Sequence, residues 1–362
     1  MNILHINSYY FTNKIHLNFK KHISDYNRDD YYFVPVYRGA KQIFEDNNID
    51  VFDIYRSYDK LFFFTKIFKS VKILTNKRFS RGFSLLHAHT LISDGLIAWT
   101  LKGIYKTNYV VTIRNTDLNF FLPNRLFKFL GAKILQRSAL IICLSPAYRN
   151  RLVQIYPFLE NTKIRVLPNG LDNFWLDNKF FEKKSTVPHI VKLLFVGRID
   201  SNKNVNLLLE FIQKYSDRQY HLTVVGDNQL EIDFSQIDNS LNNGNSLKYL
   251  EPVYDKNELL KIYREHDLFT MVSFNESFGV SYLEAMSQGL PVLFSKNEGI
   301  DGFFEEKAVG MACLPDSVES IKEGVDFILS KYDQLVTNTI NEVDRFSWER
   351  VAANYHDYVS KI

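Results

Sequence analysis

Short apolar or β-branched runs alternate with helix-length stretches along this chain, and they do so twice. The first set lies at residues 2–6, 32–36, 85–88, 109–113, 140–144 and 164–167. The second lies at 191–196, 221–225, 247–250, 268–272 and 291–294, with a further run at 311–314. Continuous apolar strands at this spacing imply parallel sheets covered on both faces by helices. No short-period repeat is visible. A chain of 362 residues is long enough for two such domains. The break is expected near 174–188, where N-F-W-L-D-N-K-F-F-E-K-K-S-T-V-P is polar, irregular and proline-ended. The expected division is therefore 1–175, 190–340 and a terminal segment, 341–362. That segment carries an amphipathic helix with Ser347 as N-cap. Two doubly wound Rossmann-like α/β domains on one linker would face an interdomain cleft, with ligands at the carboxyl ends of the strands.

Charge is divided unequally. Residues 1–185 hold 28 Lys+Arg against 14 Asp+Glu, a balance of +14, and residues 186–362 carry −11. A basic half joined to an acidic half implies that the first half faces something anionic. No helix-turn-helix, finger or RNA-binding signature is present, so an anionic membrane surface is expected and nucleic acid is not. Residues 58–83 sharpen that expectation, with seven Lys/Arg and one acid interleaved with Phe and Ile. Read as a helix, they place Leu61, Phe64, Phe68 and Val71 on one face and Lys66, Lys69 and Lys72 elsewhere, the pattern of an interfacial helix. An ordinary core-facing helix with a solvated basic side fits the segment equally well. No apolar run reaches the ~18 residues of a membrane span, and the N-terminus has neither the basic region nor the cleavage site of a signal peptide. Cys143 and Cys313 sit in apolar runs of different halves and read as buried thiols, which suits the cytosol. His87 and His89 would share a strand face, but no third ligand lies near them in sequence, so no metal site is expected.

Two segments carry chemistry. In E-S-F-G-V-S-Y-L-E-A-M-S-Q-G-L-P, residues 276–291, an apolar run leads into a tight turn and a helical pattern leads out. The first N–H groups of such a helix are unpaired and bind anions. Glu276 would lie in the turn and Glu284 about a turn and a half into the helix, at ~3.6 residues per turn. In V-K-L-L-F-V-G-R-I-D-S-N-K-N-V, a strand ends at Gly197, Arg198 follows, and Lys203 precedes a helical pattern. A forked guanidinium and a point-charge ammonium at a strand mouth suit a diphosphate.

These segments resemble the E-x7-E signature and the G-R-x4-K-G element of retaining glycosyltransferases of family 4, with the GT-B fold; Asn204 stands in place of the final glycine. L-L-H-A-H-T-L-I-S-D-G, A-L-I-I-C-L-S-P-A, V-L-P-N-G-L-D and L-E-P-V-Y-D-K-N-E-L-L resemble further family elements, so the likeness covers nearly the whole chain. It implies transfer of a sugar from a nucleotide diphosphate sugar, with retention, to a glycan or lipid-linked acceptor, without a metal or other cofactor. It assigns Arg198 and Lys203 to the diphosphate and Glu276 to the donor sugar. Gly197, Ser277, Phe278 and Gly279 would cradle the donor, Glu284 would take the ribose and Val253 would lie beside the base. The terminal helix would cross back to the first domain. The chain departs from the family after its first strand, where the frequent glycine pair is missing, and at Arg114, which stands where many members carry histidine, with Asp117 three residues on. Arg114 and Asp117 complete the expected catalytic set. Asp301 replaces a more usual glutamate.

An Asn-, Lys-, Ile- and Phe-rich composition points to an AT-rich bacterial genome and hence, by the resemblance, to surface polysaccharide synthesis at the cytoplasmic face of the inner membrane. Two other readings use the same nucleotide site: a GT-B nucleotide-sugar epimerase, and a degenerate sugar-nucleotide-binding subunit. A Rossmann oxidoreductase is disfavoured, because neither half has G-x-G-x-x-G after its first strand.

Overall fold

The computed structural model describes residues 1–12, 14–27, 29–39, 48–77, 82–159, 163–181, 189–241 and 244–362. It divides into two units. The first comprises 1–144, 148–170 and 348–362, and the second 145–147 and 171–347.

The first unit carries β1 (Ile3–Ile6), β2 (Tyr31–Tyr37), β3 (Ile49–Tyr55), β4 (Leu85–Ala88), β5 (Asn108–Ile113), β6 (Leu140–Cys143) and β7 (Ile164–Val166) in one parallel sheet of order β3-β2-β1-β4-β5-β6-β7. The second carries β8 (Ile190–Val196), β9 (Gln219–Val225), β10 (Ser246–Leu250), β11 (Leu268–Met271), β12 (Val292–Ser295) and β13 (Gly310–Cys313), ordered β10-β9-β8-β11-β12-β13 and again parallel. In each sheet the order reverses beside the first strand, which is the doubly wound arrangement. Central strands such as β1, β4, β6, β11 and β12 are buried along their whole length, which is why they are legible as unbroken apolar runs.

Three expectations need correction. The strand β3 was not among the expected runs. Its sequence, I-D-V-F-D-I-Y, is interrupted by Asp50 and Asp53, as suits an edge strand that is only partly covered. The expected break near 174–188 contains the helix Asn173–Asp177, capped by the Asp172 side chain. This helix buries Trp175 edge-on against Tyr263, so the second unit begins at Leu171; residues 182–188 lie outside the described set. The terminal segment of the first unit starts at Trp348 rather than at 341. Its helix, Trp348–Ser360, buries Trp348, Val351, Ala352, Tyr355 and Val359 among Ile3, Leu85 and Val110 of the first sheet. Gly170 of the V-L-P-N-G-L-D motif shows why that position lacks a side chain: a Cβ there would lie 2.2 Å from the Trp348 ring.

The segment after Tyr58 forms the helix Phe63–Lys77. Phe63, Ile67, Val71 and Leu74 turn into the first core, while Phe64 and Phe68 are exposed. Leu61 precedes the helix and is also exposed. The helix is therefore both core-facing and, on its outer side, apolar.

Candidate active site

The second unit builds its site where β8 and β11, paired in parallel through Leu193 and Leu268, end side by side. The loops that follow them are stitched together. Phe274 N–H donates to the Asn202 carbonyl (2.8 Å), Asn275 N–H to Asn202 Oδ1 (3.0 Å), and Asn202 Nδ2 to the Asn275 carbonyl (2.9 Å). Asp200 Oδ1 accepts from the N–H groups of Asn202 and Lys203, closing the 198–203 turn (3.1 and 2.9 Å). Asn204 then takes left-handed backbone angles (φ 57°, ψ 39°) at the start of the helix Val205–Lys214. Its Nδ2 donates to the carbonyls of Val272 (3.1 Å) and Pro315 (2.7 Å). An asparagine adopts this conformation more readily than most residues, so it serves where a glycine otherwise would.

This stitching brings Lys203 and Glu276 into a partly buried ion pair. An ammonium has three donors, so one bond to Glu276 leaves donors for a ligand. Glu276 is held from behind as well: its N–H donates to Glu298 Oε2 (2.8 Å), and its carbonyl accepts from Gly299 N–H (2.7 Å). Nothing in the sequence distinguished Glu298. Its neighbour Asp301 instead receives Asn297 N–H through Oδ2 (2.6 Å). Arg198 follows Gly197 and is largely exposed, with Asp200 at 3.4 Å.

Past Glu276 the chain turns at Gly279 (φ 79°), whose Cβ would clash with the Tyr282 ring at 2.4 Å, and enters the helix Val280–Ser287 without a side-chain cap. Phe278 is fully buried, 5.7 Å from Phe303 and 5.8 Å from Phe346 between ring centres. Only its backbone can serve a ligand, as can that of Ser277 and Gly279. Glu284, on this helix, accepts from the Tyr263 hydroxyl (3.0 Å), with Trp175, Lys256 and Asp172 nearby. Burial pushes its carboxyl up to about 7, against the opposing pull of Tyr263 and Lys256. Val253 packs partly buried on the second core beside the exposed Tyr254.

Arg114 and Asp117 lie in the first unit, and the backbone holds the Asp117 carboxylate. Its carboxylate is wholly engaged by backbone, Oδ2 accepting from Leu91 and Arg114 (both 2.9 Å) and Oδ1 from Ile92 (3.1 Å). It is a positioning residue for the turn after β4, buried enough to raise its carboxyl to about 6. Arg114 Nε donates to the His89 carbonyl (3.3 Å). Asp94, also unforeseen, accepts from Ser8 N–H and Oγ through Oδ1 (3.1 and 2.5 Å), and burial lifts its carboxyl to about 7. A third histidine, His5, does stand beside His87 and His89, with ring nitrogens of the three within 4.8 Å of one another. Five of those six nitrogens have hydrogen-bond partners: His5 Nδ1 and His89 Nε2 pair with each other, His5 Nε2 with Asp30, and the two of His87 with Tyr355 and Thr112.

Two family models match the chain: glycosyl transferases group 1 over residues 177–343, and glycosyltransferase family 4 over 28–173. An uncharacterized glycosyltransferase of Methanocaldococcus jannaschii is 24% identical over 75% of this chain and 73% of its own. The O-antigen biosynthesis glycosyltransferase WbnH of Escherichia coli is 26% identical over 79% and 87% respectively. Among solved structures, HepE of Anabaena in complex with UDP superposes along the whole of both chains with a TM-score of 0.76 at 17% identity, a likeness of fold.

Proposed function

Because the chain belongs to the glycosyltransferases of group 1 and family 4, we propose that it moves a sugar from a nucleotide diphosphate sugar, with retention, to a glycan or lipid-linked acceptor of a bacterial surface polysaccharide. The observation that carries this reading is the Lys203–Glu276 pair, set beside Arg198 and the uncapped start of the helix Val280–Ser287. Departure of a nucleotide diphosphate builds negative charge on the leaving oxygen. Preorganised cations and backbone N–H groups stabilise that charge without reorganising. Arg198 and Lys203 take the diphosphate, Glu276 the hydroxyls of the sugar and Glu284 the ribose. With these cations at the leaving group the reaction needs no metal, so EDTA leaves the rate unchanged. A thermal-shift screen of UDP-, GDP- and ADP-sugars, followed by transfer assays with a panel of n-octyl glycosides, tests the reading. NMR of the product gives the anomeric configuration. Stabilisation by none of the nucleotides refutes it, and conversion of the donor sugar without an acceptor identifies an epimerase instead.

The lipid-linked acceptor and the membrane belong to the same proposal. The helices Phe63–Lys77 and Arg125–Arg137 meet through Phe63, 5.2 Å from Phe127 and 5.5 Å from Phe121 between ring centres. Exposed Phe64, Phe68, Phe120, Leu126 and Phe129 lie on and beside these helices, together with exposed Lys72, Arg125, Lys128 and Lys133. Apolar and cationic groups exposed together suit an anionic bilayer surface. Lys66 and Lys69 contribute less than expected. Lys69 is tied to the buried Asp59 (2.6 Å), and Lys66 lies over the Tyr37 ring (5.1 Å). The Lys77 side chain lies outside the described residues. Behind the first helix a cavity of about 430 Å³, lined by Phe11, Val36, Tyr55, Phe63 and Ile67, has the size and polarity to take the apolar part of an acceptor. Among the described residues no helix is long and apolar enough to cross a membrane. The protein should co-sediment with phosphatidylglycerol-containing vesicles at low salt and release them at high salt as the Debye length shrinks. Phe64→Ser with Phe68→Ser should weaken that binding about tenfold or more. Failure of the wild type to bind anionic vesicles at low salt would make a soluble acceptor the better reading.

A further inference from the structure

Among its described residues the first unit holds a chain of buried hydrogen bonds that ends on an unpaired nitrogen. In-register pairing sets His5 of β1 beside His87 of β4 and Tyr32 of β2, and the His5 ring stacks on Tyr32 at 4.3 Å. Asp30, just before β2, accepts from Ile3 N–H through Oδ1 (3.0 Å) and meets His5 Nε2 through Oδ2 (3.2 Å). His5 Nδ1 lies 3.0 Å from His89 Nε2. Among the described residues, His89 Nδ1 is buried and has no hydrogen-bond partner. The protons follow from chemistry. A carboxylate only accepts, so His5 carries a proton on Nε2, and as a neutral ring it offers a lone pair at Nδ1. His89 must donate to that lone pair from Nε2, which leaves its own Nδ1 as an acceptor.

His89 lines a small cavity with Thr112, Arg114, Asn169 and Trp348. Its walls include residues that follow β4, β5 and β7, the strand ends where ligands bind in doubly wound sheets. At about 20 Å³ it has room for one water-sized group and not for a sugar ring. We infer that this is a subsite for a single hydroxyl of the acceptor substrate, which donates its hydrogen bond to His89 Nδ1, with His5 and Asp30 as positioning residues that fix the tautomer. The inference rests on the transferase reading above. Burial, together with His87, His5, His16 and Arg114 nearby, holds the His89 imidazole well below its usual range, so Nδ1 keeps its lone pair at neutral pH. An orphaned buried acceptor costs stability until it is paired, and the incoming hydroxyl supplies the missing donor.

Long-range proton–nitrogen correlation NMR on histidine-labelled protein reads the tautomers without any substrate. His89 Nδ1 should resonate as an unprotonated nitrogen and Nε2 as a protonated one. Asp30→Asn should exchange them. The asparagine keeps its oxygen on Ile3 N–H and turns Nδ2–H toward His5, which reverses every donor along the chain. The acceptor hydroxyl then meets an N–H, and KM for the n-octyl glycoside accepted in the transfer assay should rise about tenfold or more, with the donor KM changing far less. His89→Gln serves as a second variant if Asp30→Asn does not fold. In the wild type, saturating that glycoside in the presence of the nucleotide should shift the Nδ1 resonance. A protonated Nδ1, or an Nδ1 indifferent to the glycoside because the cavity holds only water, overturns the inference. Absence of transfer from every donor, with the tautomers as assigned, overturns the transferase reading instead.

Discussion

Lys203→Ala lowers kcat/KM by roughly tenfold to a thousandfold, and Arg198→Ala by a comparable factor, since each removes a charge-assisted contact to the leaving diphosphate. The two variants differ in what else they disturb. Arg198 is mostly exposed and its pairing with Asp200 is long, so its loss leaves the melting temperature unchanged. Lys203 is largely buried against Glu276, and its removal strands a carboxylate that is itself about nine-tenths covered. Lys203→Ala therefore lowers the melting temperature as well, and Lys203→Ala with Glu276→Gln restores much of it without restoring turnover. Near-normal turnover in the Arg198→Ala/Lys203→Ala protein would rule out the diphosphate assignment.

Glu276→Gln reduces transfer by about a hundredfold while leaving nucleotide diphosphate affinity intact or slightly higher, because it frees Lys203 from its ion pair. Glu284→Gln weakens the nucleotide itself about tenfold, because the ribose is common to donor and product. Glutamine is the informative replacement, since it still offers the buried Tyr263 hydroxyl an acceptor, whereas alanine would orphan that hydroxyl. The Glu284 carboxyl, raised to about 7 by burial, adds a pH signature. Ribose hydroxyls donate to the ionised form, so the protein must shed this proton to bind. Wild-type affinity therefore falls as pH drops below about 7, by up to about tenfold per unit, and Glu284→Gln removes that component. Calorimetry with the nucleotide alone from pH 8 to 6 separates the two glutamates. Equal losses in both variants would end the division of labour.

The strands of both sheets apart from β3, and the helix starts at Val205 and Val280, were legible along the chain. Each of these rests on neighbours in the chain: an apolar run for a strand covered on both faces, a strand–turn–helix string for a helix start. An edge strand half in solvent keeps no such run, which is why β3 was invisible. What tertiary structure decided depends on register and packing between distant segments. Sheet register put His5 beside His87 and, through Asp30, gave His89 its tautomer. Backbone amides of Leu91 and Ile92, some 25 residues away, bind the Asp117 carboxylate. Glu298 closed on the Glu276 backbone through a loop 22 residues away. The helix Trp348–Ser360 joined the first unit because its apolar stripe packs on the first sheet and on Ile23 and Phe19 of the helix Lys14–Ile23. Spacing along the chain cannot encode these pairings, since each is chosen by which surfaces exclude water together.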